Sequence, residues 1–148
     1  MHTLREIMST DVEYVTPQDN VFEVASKMRA SNIGMVPVVE NGVLKGVITD
    51  RDLVVRGIAG KHPNSGSVEE IMSTSLVTGT PDMTVDEAAR LMAEAQVRRL
   101  PIVENNRLVG VVSIGDMAVR EPHQTEASQA LNEISETHNP NASNDLKS

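Results

Sequence analysis

The sequence predicts an α/β (α+β) chain made of two copies of one small unit, each a short sheet with flanking helices. Three observations predict it. The stretches Gly46-Val47-Ile48-Thr49-Asp50-Arg51-Asp52 and Gly110-Val111-Val112-Ser113-Ile114-Gly115-Asp116 are near copies lying 64 positions apart (46 against 110). Sliding the chain over itself by that offset also sets Ile7-Met8-Ser9-Thr10 on Ile71-Met72-Ser73-Thr74, and Thr16-Pro17 on Thr80-Pro81. Pro37-Val38-Val39-Glu40 meets Pro101-Ile102-Val103-Glu104, and no gap is needed between residues 3 and 56. Finally, each copy passes from helical periodicity to short apolar runs broken by turn residues. A self-match at one fixed period marks a tandem repeat.

Each copy opens on a capping-box pattern, Thr3 with Glu6 and Ser67 with Glu70, ahead of a short helix carrying Ile-Met. Val12–Thr16 and Leu76–Thr80 follow as brief β-prone segments stopped by Pro17 and Pro81. The next helix in the first copy aligns Val21, Val24, Ala25 and Met28 on one face, with Asn20 and Glu23 as its capping box. Val85, Ala88, Ala89 and Met92 repeat that face behind Thr84 and Glu87. A hairpin comes next, turning at Asn41-Gly42, a type I′ signal because both residues need positive φ. The second copy turns at Asn105-Asn106, which asparagine tolerates. A closing helix starts at Thr49 or Ser113 and stops near Gly57 or Pro122. The boundaries are therefore 1–60 for the first repeat, 61–66 for a linker, 67–121 for the second repeat and 122–148 for a polar tail. Within the tail, Ala127, Ala130, Leu131 and Ile134 have helical spacing, while 139–145 is predicted to be disordered.

Composition narrows the function classes. The only aromatic residues are Tyr14 and Phe22, so the core must be aliphatic, and each copy is small enough that one fused core is expected. There is no cysteine, which removes disulfides and thiolate chemistry. No apolar run is long enough for a membrane span, and the N-terminus lacks a signal-peptide segment, so the reading is soluble and cytoplasmic. A net charge of −8 argues against nucleic acid as a partner. The residues after Arg120 carry about half of that charge, which leaves room for a local basic site. His2, His62, His123 and His138 have no ligand-like spacing, and no metal site is expected.

The order of these motifs, repeated at one offset, resembles the CBS domain in its tandem arrangement, the Bateman module. The residues that carry the resemblance are the Ile-Met starts, the Thr-Pro pairs and Ile33-Gly34-Met35-Val36-Pro37-Val38-Val39. Val97-Arg98-Arg99-Leu100-Pro101-Ile102-Val103 and the two Gly-Val-aliphatic-hydroxyl-x-x-Asp stretches complete it. It covers residues 3 to about 121 without an attached catalytic domain, and is similar to stand-alone bacterial hypoxic-response-type CBS pairs. The resemblance implies repeats packed with pseudo-two-fold symmetry and two clefts for AMP, ADP, ATP or S-adenosylmethionine. It also implies a homodimer, a regulatory rather than enzymatic role, and a protein partner that reads the ligand state.

Candidate ligand residues follow from both lines. Thr49 with Asp52, and Ser113 with Asp116, fit a capping box; they also fit a carboxylate accepting from a ribose diol with a hydroxyl near phosphate. Arg98 and Arg99 replace Gly34 and Met35 of the first copy, and their planar forks suit phosphate. Thr16, Thr80, Ile33, Val36, Val97 and Leu100 would form an adenine slot in the resembled family, and would otherwise be ordinary core. No phosphate-binding glycine loop or activated nucleophile is present. The alternative is a ligand-independent dimerisation or interaction module with degenerate clefts.

Overall fold

The computed structural model describes residues 2–118. The C-terminal end of the closing helix of the second repeat and the whole 122–148 tail, with its expected helix and disorder, lie outside those residues. In chain order the elements are α1 (Leu4–Ile7), α2 (Val21–Ser31), β1 (Met35–Glu40), β2 (Val43–Thr49) and α3 (Asp50–Asp52). A π-helical turn Leu53–Ile58 and a 3-10 turn Val68–Glu70 follow, then α4 (Val85–Ala95), β3 (Arg99–Glu104), β4 (Arg107–Ser113) and α5 (Ile114–Ala118). The closing helix expected from Thr49 is thus one α turn that widens into a π-helix.

Local chemistry accounts for most boundaries. Asn20 and Thr84 accept the N3 amide at the head of α2 and α4, and Glu23 and Glu87 return the bond to the cap backbone. The exposed Glu87 carboxyl is held below its usual range, chiefly by the Thr84 backbone N–H and then by the Thr84 hydroxyl. Both helices end on a left-handed residue, Asn32 and Gln96. Asn41 and Gly42 have φ of 54° and 82°, and Asn105 and Asn106 have 55° and 65°, as the type I′ turns require. Each hairpin is antiparallel with an irregularity, at Val38/Val39 and at Ile102/Val103. The β-prone segments ahead of Pro17 and Pro81 appear as single parallel bridges, Val15 to Val38 and Gly79 to Ile102.

The chain divides into two compact units that are offset from the sequence repeats. One is Glu13–Leu76; the other joins residues 2–12 to residues 77–118. The opening segment of each repeat therefore completes the unit built on the other repeat. In the second-repeat unit, Leu4 and Ile7 pack with Val85, Ala88, Met92, Leu100 and Ile102. Backbone bonds fix them there, Leu4 N–H to Met83 O at 2.9 Å and Ser9 N–H to Val111 O at 2.9 Å. In the Glu13–Leu76 unit, Val68 and Ile71 pack with Val15, Val24, Val36, Val38 and Ile48. Ser73 pairs with Val47 through both backbone groups, at 2.8 and 2.9 Å. Each of the two aliphatic clusters thus draws on both repeats, because each repeat finishes its core with a borrowed segment.

This exchange explains the glycine of the repeated motif. A Cβ on Gly46 would lie 2.8 Å from Met72 Sδ and 2.8 Å from Ser73 O. On Gly110 it would lie 2.8 Å from Met8 Sδ and 2.9 Å from Ser9 O. The thioether can move, but the carbonyl belongs to a paired backbone. Gly110→Ala is expected to lower stability by about 1–3 kcal/mol, as overpacking does. A thermal or urea melt matching wild type would show that the opening segment yields freely.

Candidate functional site

In the Glu13–Leu76 unit, β2 delivers Thr49 to the head of α3. The Thr49 N–H donates to Asp52 Oδ2 at 3.0 Å, and the Asp52 N–H donates to Thr49 Oγ1 at 3.1 Å. The Ser73 hydroxyl, from the borrowed segment, lies 3.1 Å from both Asp52 oxygens. Asp52 is only 7% exposed, the one buried charged residue among those described. Beside it, Asp50 donates its N–H to Gly34 O at 3.0 Å. A Cβ on Gly34 would meet Asp50 Oδ2 at 2.9 Å, so the Asp50 carboxylate lies over that glycine.

The second-repeat unit builds the same cap with different neighbours. Ser113 N–H donates to Asp116 Oδ2 at 3.1 Å, and Asp116 N–H to Ser113 Oγ at 3.1 Å. Arg99 stands opposite Ser113 in the β3–β4 register. The Arg98 carbonyl accepts from Ile114 N–H at 3.0 Å, so Ile114 takes the place that Asp50 has in the other unit. Both arginines and Asp116 are half-buried. Two guanidinium-bearing residues and one carboxylate thus converge on one hairpin end. The corresponding end of the other unit carries two carboxylates and no cation from Gly34 or Met35.

The structure therefore brings Arg98, Arg99, Ser113 and Asp116 together, and Thr49 with Asp52. It does not bring the threonines to those places within their own units. Thr16 and Thr80 follow the residues bridged to the middle of β1 and β3, on the side of the hairpin turn. Thr16 donates its N–H to Asp19 Oδ2 at 3.0 Å, and Thr80 is exposed. Val36 and Leu100, expected in an adenine slot, are fully buried in the two clusters and offer no surface. Their bland reading as core is the observed one. Ile33 and Val97 pack against the clusters but keep part of their surface. Sequence reasoning missed Ser73 and Asp50. Ser73 aligns with an identical Ser9, so the repeat gave no sign of a special role. Asp50 aligns with Ile114, a charge difference that was legible.

The CBS domain family model matches residues 4–57 and 68–120. The chain belongs to the CBS domain family. It is 46% identical over 135 residues to the CBS domain-containing protein YhcV of Bacillus subtilis, a match spanning 91% of this chain and 96% of that one. Hypoxic response protein 1 of Mycobacterium tuberculosis is 35% identical over 120 residues, covering 80% and 84% of the two chains. A crystal structure of Hypoxic Response Protein I with two coordinated zinc ions superposes with a TM-score of 0.73 at 34% identity, over 80% of this chain and 98% of that one. Among the described residues here, no group of three or more His, Cys, Asp or Glu could hold a metal ion. The CBS domain pair of MJ0100, solved with 5′-methylthioadenosine and S-adenosyl-L-methionine, gives a TM-score of 0.70 at 27% identity. It covers 80% of this chain and 94% of the MJ0100 chain. Among the described residues no helix is long and apolar enough to cross a membrane.

Proposed function

We propose that this CBS pair is a cytoplasmic, non-catalytic regulatory module that binds an adenosine nucleotide and passes its ligand state to a protein partner. The observation that carries the reading is the register of Arg99 against Ser113, with Arg98 beside it and Asp116 in the cap. Asp116 is an acceptor for the vicinal hydroxyls of ribose. Arg98 and Arg99 supply planar donors for phosphate. Half-burial strengthens both interactions relative to open water. The adenosine-containing ligands in the MJ0100 CBS pair support the ligand class. AMP, ADP and ATP suit the arginines best, and S-adenosylmethionine shares the same ribose. Ile33, next to Gly34 in one unit, and Val97, next to Arg98 in the other, keep part of their surface and remain in the proposal as residues that would bound a base within their own unit. A ligand passes on its state only by binding two conformations unequally, so the partner must prefer one of them.

The decisive variant is Arg99→Ala. It is expected to weaken AMP and ATP about tenfold or more and adenosine hardly at all, because only the phosphorylated ligands meet a guanidinium. Equal losses for all three, in a fluorescence or calorimetric titration, would put Arg99 outside the phosphate site.

The proposal includes a homodimer. Val54, Val55 and Ile58 lie in the π-helical turn and are 56%, 48% and 74% exposed. That is apolar surface which the Glu13–Leu76 unit leaves uncovered, and such patches mark association. Light scattering should give twice the 16.0 kDa chain mass. Ile58→Glu should restore the single mass, and a wild-type monomer at high micromolar concentration would remove the dimer from the account.

A further inference from the structure

The two hydroxyl–acid pairs are alike in sequence and unlike in engagement. We infer that the chain takes up one adenosine group, at Asp116, while Ser73 keeps the matching acid Asp52 closed. The inference rests on the nucleotide reading above and adds which acid serves it. Asp52 Oδ2 already accepts from Thr49 N–H and lies within 3.1 Å of the Ser73 hydroxyl, as Oδ1 does. The carboxylate is 7% exposed. A ribose diol must bring two donors to one carboxylate, and here the serine stands in front of both oxygens.

The Ser73 backbone is fixed, since its N–H and C=O both pair with Val47 and the Gly46 backbone lies close beneath it. Opening Asp52 means turning the Ser73 hydroxyl away from both carboxylate oxygens, which gives up its bond to a buried charge. In the other unit, Ser9 makes the same double backbone pair with Val111, at 2.9 and 3.0 Å. Yet among the described residues no serine hydroxyl reaches Asp116 from that segment, and its carboxylate accepts only from Ser113 N–H. Asp116 keeps more exposure than the buried Asp52. Charge points the same way. Asp50 lies over Gly34 beside Asp52, while Arg99 stands in register with Ser113, the cap partner of Asp116, and Arg98 precedes Arg99 in the chain. One acid has become a latch for the borrowed segment, and its twin is left for a ligand.

Calorimetric titration of the full-length protein with adenosine, which lacks phosphate, reads the ribose contact alone. The wild type is expected to bind one adenosine per chain, and Asp116→Asn to weaken it at least tenfold. Ser73→Ala should add a second, and the combined Ser73→Ala, Asp116→Asn variant should keep that second site alone. Thermal melts check that each variant is folded. Two equivalent sites in the wild type would overturn the inference and leave the nucleotide reading standing, as would a Ser73→Ala protein that still binds one. A wild type that binds neither adenosine nor any of AMP, ADP, ATP and S-adenosylmethionine would remove the nucleotide reading, and this inference with it.

Discussion

Dividing the chain between residues 62 and 63 should leave neither half with a cooperative fold, although the cut falls in the linker between the sequence repeats. The 1–62 half loses Val68 and Ile71, which lie 0% and 3% exposed in the cluster of Val15, Val24 and Ile48. The 63–148 half loses Leu4 and Ile7 from the cluster of Val85, Met92 and Leu100. A buried aliphatic side chain contributes about 1.5–3 kcal/mol, so two of them amount to roughly 3–6 kcal/mol. That is comparable with the whole stability of a small domain, about 5–15 kcal/mol. The backbone pair of Ser73 with Val47, or of Ser9 with Val111, goes as well. A 13–76 fragment keeps its complete cluster and should melt more steeply and at higher temperature than 1–62 by circular dichroism. In the intact chain, Leu4→Ala should cost about 2–5 kcal/mol, since it opens a cavity in the unit of the other repeat. A monomeric 1–62 fragment that melts as cooperatively as 13–76 would contradict the exchange.

The repeats, both amphipathic helices and both hairpin turns were legible because their signals are local. Val85, Ala88, Ala89 and Met92 share a face by spacing alone, and Asn41-Gly42 names its own turn. The exchange was not legible. Aligning Ile7-Met8 with Ile71-Met72 shows that the segments are equivalent, but not which copy each one packs against. Gly46 and Gly110 read as strand residues in the sequence, whereas their missing side chains make room for Ser73 and Ser9. The paired acids were legible because they repeat one local motif, and Arg98 and Arg99 already marked the two copies as different. Thr49–Asp52 and Ser113–Asp116 match in pattern, and only the positions of Ser73, Asp50 and the arginines separate them. Val36 and Leu100 were named for a slot because they sit in the family motif, with ordinary core as the other reading, and they lie buried in the two clusters.

Saturating nucleotide should raise the melting temperature by about 5–11 °C. A ligand that binds only the folded chain adds about 2.7 kcal/mol at a hundredfold excess over Kd. For a chain of 148 residues, each kcal/mol moves the midpoint by roughly 2–4 °C. Asp116→Ala separates two roles for one carboxylate. As a cap it contributes only to the ligand-free midpoint, by about 0.5–2 kcal/mol, and its loss leaves the nucleotide shift intact. As the ribose anchor, its loss removes most of the shift. The second outcome is expected, because the half-buried Asp116 side chain stays partly accessible while making its capping bond.

The most direct test of the central claim is equilibrium dialysis of the full-length protein against labelled AMP, ADP, ATP and S-adenosylmethionine, each taken to millimolar concentration. The account predicts saturable uptake of at least one adenine nucleotide, displaced by unlabelled adenosine and reduced at least tenfold in Asp116→Asn. No saturable uptake of any of the four would contradict it, and would leave the CBS pair as a module that works through protein contacts alone.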